Sequence, residues 1–138
     1  MATIYRNLAG HADGSSDSVI LNTSYVYMHR GGINTSDVNI TAFSLANTSE
    51  SGSFDFDLYL RKVAGHKSND GSGKAVLVKE NRSRKYVTYH IIKGASIPPG
   101  STLFPLDNNN ISFDVSYDLV LCIKGTRDMT GDLILTYE

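Results

Sequence analysis

Strict alternation of apolar and polar residues in the segment SFDFDLYLRKV, residues 53–63, constrains the fold of this chain most strongly. The apolar members are Phe54, Phe56, Leu58 and Leu60. The positions between them are Asp55, Asp57, Tyr59 and Arg61. Because successive side chains of a β-strand point to opposite faces, the pattern predicts a half-buried strand with one face on a core and one in water.

A second segment, VNITAFSLA at 38–46, also has a period of two, but apolar residues occupy both phases. Val38, Ile40 and Ala42 would share one face, and Phe43 and Leu45 the other. We therefore expect both faces of this strand to be covered.

Further strand-forming segments, rich in β-branched and aromatic residues, occur at 85–94, 118–125 and 131–138. Weaker candidates are TIYRNL at 3–8, SVILN at 18–22, SYVYMHR at 24–30, KAVLVKE at 74–80 and STLFPL at 101–106. Turn signals such as RGG, NTSESGS, PPG and DNNN separate the segments at intervals of about 8 to 14 residues. This spacing predicts an all-β fold, an antiparallel β-sandwich of jelly-roll or immunoglobulin-like type with about 8 strands and almost no helix, in a single domain over residues 1–138.

Composition excludes several classes of partner. The chain has 138 residues and a net charge of −1, so no overall field attracts it to nucleic acid or to an anionic membrane. No apolar run approaches the roughly 20 residues that span a bilayer, and the opening residues contain no leader, so we expect synthesis in the cytoplasm. The single cysteine, Cys122, lies in an apolar alternation and is interpreted as a small buried hydrophobe.

No motif indicates a metal or a cofactor. NDGSGK at 69–74 lacks the first glycine and the final Ser or Thr of a phosphate loop, and the calcium-loop pattern around Asp70 lacks its closing glutamate. The histidines are far apart in sequence: His11, His29, His66 and His90. None has a second ligand at the spacing of a zinc site, so we expect no metal and no cofactor.

Nothing positive indicates an enzyme. Asp55 and Asp57 point to one face two residues apart, which acid and base chemistry or cation binding could use. On a solvated strand face, however, solubility and cross-strand pairing with Lys or Arg are the favoured explanation of such residues. No Ser, Cys or Thr lies in a recognisable nucleophile elbow, and we expect no catalytic residues.

A basic segment, KENRSRK at 79–85, precedes Tyr86 and Tyr89. Arginine beside tyrosine is compatible with a groove for single-stranded nucleic acid, but the neutral chain favours a surface for a protein partner. Six Asn-x-Ser/Thr triplets also occur, beginning at Asn22, Asn34, Asn39, Asn47, Asn81 and Asn110. Without a leader, turn chemistry explains them better than glycosylation.

The segment SIPPGSTLFPL at 96–106 predicts a rigid turn. Pro98 and Pro99 fix two backbone angles and remove two donors, and Gly100 supplies a permissive angle. We expect this turn to fix the register of the last two strands. Four apolar side chains should pack beneath it: Ile97, Leu103, Phe104 and Leu106.

The second half of the chain resembles a known class of protein. The succession of YHIIKGASI, PPGSTLFPLDNN, ISFDVSYDLVLCIKG and GDLILTYE, together with the opening MATIYRNL, resembles the small virion structural proteins of tailed bacteriophages, especially cyanophages. The resemblance implies a β-sandwich subunit of the capsid surface, neck or tail, present as a symmetric homo-oligomer, and implies no catalytic residues.

The resulting hypothesis is a non-enzymatic virion protein, a capsid decoration protein or a neck or tail component, that binds other virion proteins as a trimer or larger homo-oligomer. We predict the interface among Tyr25, Tyr27, Tyr59, Arg82, Arg84, Tyr86 and Tyr89. The alternatives are a carbohydrate-binding module, whose platform would consist of tyrosines because the chain has no tryptophan, and a small hydrolase.

Overall fold

The computed structural model describes residues 1–9, 15–32, 37–64, 85–105, 111–124 and 129–138. Within these ranges the chain forms nine strands and one short helix. In chain order they are β1 (Ala2–Ala9), β2 (Ser15–Leu21), α1 (Thr23–His29), β3 (Val38–Asn47), β4 (Phe54–Ala64), β5 (Lys85–Ile97), β6 (Thr102–Leu103), β7 (Ile111–Phe113), β8 (Asp118–Lys124) and β9 (Thr130–Tyr137).

The strands form two antiparallel sheets. Sheet 1 has the order β1-β9-β3-β6, with β7 also paired to β3, and sheet 2 has the order β2-β8-β4-β5. The pairs are nested in sequence, because β1 pairs with β9, β2 with β8, β3 with β6 and β7, and β4 with β5. Additional pairing of β3 with β9 and of β4 with β8 completes the sheets. The predicted all-β sandwich is confirmed, and this nested order is that of a jelly roll.

The core lies between the sheets and is apolar. Its largest fully buried side chains include Phe54, Phe56, Leu58, Leu121 and Leu133. The core-facing half of the alternation predicted for 53–63 is therefore confirmed, but the opposite face is not in water, because Asp57 and Tyr59 are buried there. Each of the apolar core side chains contributes roughly 1.5–3 kcal/mol by leaving water.

The strands β3 and β9 of sheet 1 approach each other closely at one glycine, which also lies against Phe54 of sheet 2. A Cβ added to Gly131 of β9 would lie 2.5 Å from the carbonyl oxygen of Ala46 and 3.3 Å from the ring of Phe54. Since real Cβ atoms do not approach a carbonyl oxygen that closely, this position requires glycine.

The prediction that both faces of 38–46 are covered was wrong. The register of β3 against β9 shifts between Ile40 and Ala42, which is a β-bulge. The extra residue brings Phe43 and Leu45 onto the same buried face as Ile40, while Ala42 is exposed. The bulge explains why the apolar residues of β3 change phase along the sequence, although its outer face is not covered.

A helix replaces the strand predicted at 24–30. Asn22 caps α1, because its Oδ1 accepts a hydrogen bond from the backbone N–H of Tyr25 at 3.1 Å. Val26 is the buried residue of the helix, whereas Tyr25 and Tyr27 are exposed. The alternation that resembles a strand is therefore a helix of about two turns with one buried side chain. Among the other weak candidates, 3–8 and 18–22 lie within β1 and β2, 101–106 yields only β6, and 74–80 is outside the described residues.

The proline turn passes from sheet 2 to sheet 1. The N–H of Ser101 donates to the carbonyl oxygen of Pro98 at 3.2 Å, and Gly100 has φ +77°. Pro99 at the second position and glycine at the third make this a type II turn. It joins β5 to β6, so the chain changes sheets here.

The turn binds the end of β3 and not the last two strands, which corrects the predicted role. The N–H of Gly100 donates to the carbonyl oxygen of Asn47 at 2.8 Å, and the N–H of Asn47 donates to that of Ser101 at 2.9 Å. Ile97 is buried as predicted, but Phe104 is 59% exposed. Phe104 does not pack beneath the turn, because it follows the short β6 on the outer side; Leu106 lies outside the described residues.

Candidate interaction site at the helix end of the sandwich

Exposed tyrosines gather at one end of the sandwich, which we call the helix end: α1, the turn 114–117 and the adjoining parts of β4 and β5. The Oγ1 of Thr23 donates to the carbonyl oxygen of Val115 at 2.6 Å, which ties the helix to the turn. The turn itself closes through Tyr117 N–H to the Asp114 carbonyl oxygen at 3.1 Å. The tyrosines are therefore carried on segments that are bonded to one another.

Tyr25 is held by an arginine from β1. A guanidinium nitrogen of Arg6 donates to the Tyr25 hydroxyl at 2.7 Å, and the guanidinium carbon lies 5.3 Å from the ring centroid. The same guanidinium donates to the carbonyl oxygen of Val19 at 2.8 Å. Arg6 thus closes the open side of the sandwich between β1 and β2 and orients Tyr25 at its rim.

Tyr27 projects further into solvent than Tyr25 and is 53% exposed, and the neighbouring Met28 is also exposed. The helix that carries them is fixed from below by Tyr137, a buried residue of β9. The Tyr137 hydroxyl hydrogen-bonds with Nδ1 of His29 and lies 3.3 Å from the carbonyl oxygen of Tyr25. Burial raises the pKa of Tyr137 above its ordinary value. The exposed aromatic surface is consequently presented on a fixed support.

A second aromatic group lies across the helix end. The rings of Tyr89 and Tyr117 meet edge to face with centroids 5.9 Å apart, and the Nζ of Lys62 lies 5.5 Å from the Tyr117 centroid. Tyr89 is 55% exposed. Desolvation, and then the adjacent Tyr89 hydroxyl, raise the pKa of Tyr117. The group offers ring edges, hydroxyls and one ammonium to a ligand.

The turn beside these rings carries a carboxylate. The N–H of Ser116 donates to Oδ1 of Asp114 at 2.8 Å. This backbone bond is the main reason that the pKa of Asp114 lies below its ordinary value, with a smaller contribution from Lys62. At neutral pH the helix end therefore presents both charges beside its tyrosines.

Tyr59 lies apart from the helix end, on the outer face of sheet 2, and is 8% exposed. It packs with Val120 and Cys122 in a small apolar cluster outside the main core. Burial, and then a hydrogen bond with Asp17, raise the pKa of Tyr59 to about 12. Most of its surface is already in contact within the chain.

The two aspartates considered for acid and base chemistry are each bonded within sheet 2. Oδ1 of Asp55 accepts from Ser96 Oγ at 2.7 Å. Asp57 accepts from the N–H of Gly94 at 2.6 Å and pairs with Lys124 at 3.1 Å. The Gly94 bond, followed by Lys124, lowers the pKa of Asp57. Both carboxylates stabilise the pairing of strands, which is the ordinary role weighed against catalysis.

An ion pair also connects two neighbouring strands of sheet 2, β4 and β8. Arg61 and Asp118 lie 3.7 Å apart and are partly buried. Burial raises the pKa of Asp118, and Arg61 offsets part of that shift. The polar residues of this face therefore pair across strands β4 and β8 and do not converge on a common point.

The sequence-predicted interface residues lie in different places. Tyr25 and Tyr27 are on α1, Tyr89 contacts Tyr117 of the turn to which Thr23 is bonded, and Tyr59 lies away from both. Arg82 and Arg84 lie outside the described residues, and Tyr86 belongs to β5 opposite Val63. Sequence reasoning missed Tyr117 and Lys62, whose approach to Tyr89 depends on the pairing of β4, β5 and β8.

Three of the Asn-x-Ser/Thr triplets fall on described residues, and each asparagine has a structural contact. Asn22 caps α1, Asn39 accepts from Ser112 at 3.1 Å, and Asn47 is buried. These contacts agree with turn and strand chemistry. The triplets at Asn34, Asn81 and Asn110 lie outside the described residues.

Over the described ranges, no three residues among His, Cys, Asp and Glu are grouped so that they could hold a metal ion. No helix in the same part of the chain has the length and apolarity needed to cross a membrane.

Comparison with known proteins does not place the chain in a family. A scan against protein-family models found no match, and a search of curated proteins found no similar sequence.

Proposed function

We propose that this chain is a non-enzymatic structural subunit of a tailed-phage virion, a capsid decoration protein or a neck or tail component that binds other virion proteins. Two features support the proposal. The nested strand order is that of the jelly roll, an architecture used by viral capsid proteins among others. Because one fold hosts many functions, the strand order supports the proposal only by analogy, and the second feature is a specific surface of this chain.

The observation that carries the proposal is the helix end. Tyr25 and Tyr27 protrude from a helix whose position is fixed by Arg6, Tyr137 and the Thr23 bond. Tyrosine gives a large contact area with a polar tip and loses little conformational entropy on binding. A rigid group of exposed tyrosines is therefore suited to contact with a protein surface.

The experiment starts from the genes beside this one. Portal, major capsid and tail proteins encoded there would be purified and tested for binding to the chain by biolayer interferometry. Tyr27→Ala should weaken binding to the true partner by about tenfold to a hundredfold, the range of an interface hot spot. Phe104→Ala is the matched control, because Phe104 is equally exposed but lies beside the proline turn. Equal affinities of the two variants would reject the helix end as the binding surface.

A carbohydrate-binding role is the second candidate, favoured by the contacts of Tyr117 with Tyr89 and with Lys62. Jelly rolls also occur in lectins, and aromatic rings beside polar groups are suited to sugars. A glycan array tests this role. Binding that Tyr89→Ala and Tyr117→Ala abolish and Tyr27→Ala leaves intact would favour the glycan over the protein partner.

A further inference from the structure

Among the described strands, the two sheets have four edges. In sheet 1 they are formed by β1 and by β6 together with β7, and in sheet 2 by β2 and by β5. An edge strand presents unpaired backbone donors and acceptors, and proteins usually block such edges with short strands, prolines, lysines or bulges. The edges differ sharply in these devices.

Three of the edges carry blocking devices. β6 and β7 are two and three residues long, and Pro105 follows β6 closely. β5 contains register shifts against β4 and begins with Lys85. β2 has a register shift near Ile20, and Arg6 donates to two of its backbone carbonyl oxygens, at 2.8 Å and 3.5 Å. None of these edges offers a long, regular ladder to another strand.

β1 differs from all of them. Its eight residues pair with β9 without any shift of register, from Ala2 opposite Tyr137 to Ala9 opposite Thr130. It contains no proline, glycine or lysine. Its outward side chains are uncharged: Thr3, Tyr5, Asn7 and Ala9. Among the described residues β1 pairs only with β9, on one of its two edges.

The one charge on β1 is Arg6, which points inward. An inward charge blocks an edge when pairing would strip it of water. Here the guanidinium is already bonded to Val19, Ile20 and Tyr25 of its own subunit. Pairing at the β1 edge leaves those bonds in place, so Arg6 does not act as a block.

We propose that β1 pairs antiparallel with β1 of a second copy of this chain, joining the two sheets 1 into one continuous sheet. A twofold axis perpendicular to the sheet relates the copies, and the interface is isologous. The inference rests on the strand edges alone and goes beyond the virion proposal. It gives assemblies with an even number of subunits, beginning with a dimer, and so departs from the sequence-based expectation of a trimer or larger.

The proposed partner of the β1 edge is β1 of a second copy, because this strand is complementary to itself. Directly opposite residues of an antiparallel pair point to the same face. The twofold axis therefore lies between the two copies of one residue, which are directly opposite each other. An axis at Arg6 would set two like charges directly opposite each other, which is unfavourable. An axis at Tyr5 instead pairs Tyr5 with itself and Thr3 with Asn7 of the second copy, all uncharged.

Cysteine cross-linking tests the register. In a Cys122→Ala background, Tyr5→Cys places two thiols on the axis, where directly opposed Cα atoms lie about 4.5–5.5 Å apart, within disulfide range. Ile134→Cys is the matched control, because Ile134 is exposed on the same face opposite Tyr5 but one strand further in. Its two copies would be about 14 Å apart, too far for a bond. We expect mild oxidation to dimerise Tyr5→Cys and not Ile134→Cys; equal yields, or more from Ile134→Cys, would overturn the proposal.

Light scattering tests the pairing itself. The wild-type chain should show an even multiple of 15.1 kDa. Tyr5→Lys places like charges on the axis and should weaken association by about tenfold, whereas Ile134→Lys should not. Circular dichroism confirms that both variants fold. A wild-type monomer at the highest soluble concentration, or association that Tyr5→Lys leaves unchanged, would refute the proposal. Dimerisation with no binding to virion proteins would retain it and reject the proposed function.

Discussion

Asn47 should be among the residues on which the stability of this sandwich depends most. The side chain is buried at the end of β3. Its Nδ2 donates to the carbonyl oxygens of Gly52 and Ile97, both at 2.9 Å. Its Oδ1 accepts from the N–H of Ser49 at 3.0 Å and also from the Ser49 hydroxyl. One amide thus connects β3, the loop before β4 and the end of β5.

Asn47→Ala removes these bonds and leaves the Ile97 carbonyl oxygen and the Ser49 N–H without this partner, whereas the Gly52 carbonyl oxygen still accepts from the Ser49 hydroxyl at 3.2 Å. Each buried polar group that loses its partner costs about 1–3 kcal/mol, so we expect a loss of about 2–5 kcal/mol. Domains have a total stability of about 5–15 kcal/mol, and the variant should remain folded but fragile. With a urea m-value of about 2 kcal/mol per molar, the midpoint of unfolding should fall by about 2 M.

Two further variants separate the contributions. Ser49→Ala keeps the Nδ2 bonds and should cost about 1 kcal/mol. Asn47→Asp keeps the shape but replaces a donor with an oxygen that faces two carbonyl oxygens, so it should destabilise at least as much as Asn47→Ala. Thr48→Ala, at an exposed position, serves as the control. A loss below about 1 kcal/mol for Asn47→Ala would refute the reasoning, because the three segments would then be held by other contacts.

Three other outcomes are expected. Gly131→Ala should lower the stability measured by thermal unfolding by about 2–3 kcal/mol, because its Cβ meets the Ala46 carbonyl oxygen. Gly94→Ala should lower it by about 1 kcal/mol, because there only the φ of +69° is unfavourable, and equal losses would contradict the close approach at Gly131. The folded pKa of Asp57 is depressed, so its contribution is complete above the ordinary value of 3.8 and disappears as the pH falls through the lower folded value. In urea unfolding, Asp57→Asn should therefore lose less stability than wild type between about pH 5 and pH 2, and parallel profiles would exclude this role. Ultraviolet titration should show a tyrosine that ionises near pH 12 and that Tyr59→Phe removes; persistence of that step in the variant would mean that another tyrosine produces it.

Local pattern was sufficient to predict the strands that alternate strictly. Phe54, Phe56 and Leu58 of the segment 53–63 are buried on the core face as predicted, and the last strand lies where a strand was expected. The bulge in β3 could not be predicted, because an inserted residue shifts the phase and a single sequence does not show where the partner strand compensates. The helix at 23–29 was missed because Tyr25 and Tyr27 imitate a strand, although Asn22 supplied a capping signal.

The candidate site depended on topology more than on pattern. Tyrosines could be named as interface residues from their type alone, but only the strand pairing shows that Tyr89 meets Tyr117 and that Tyr59 is covered. Likewise, the sequence indicated a rigid proline turn, but the partner of that turn, Asn47, lies about 50 residues earlier in the chain. Contacts of such separation follow from the fold and not from local composition.

The proposed role of this chain as a structural component of a virion is tested most directly by quantitative mass spectrometry of purified particles, produced from the genome that encodes the chain. We expect the chain to be present in fixed, multiple copies per particle and to remain with the particles through repeated gradient purification. Its absence from particles, while it accumulates in the infected cell, would contradict the proposed role.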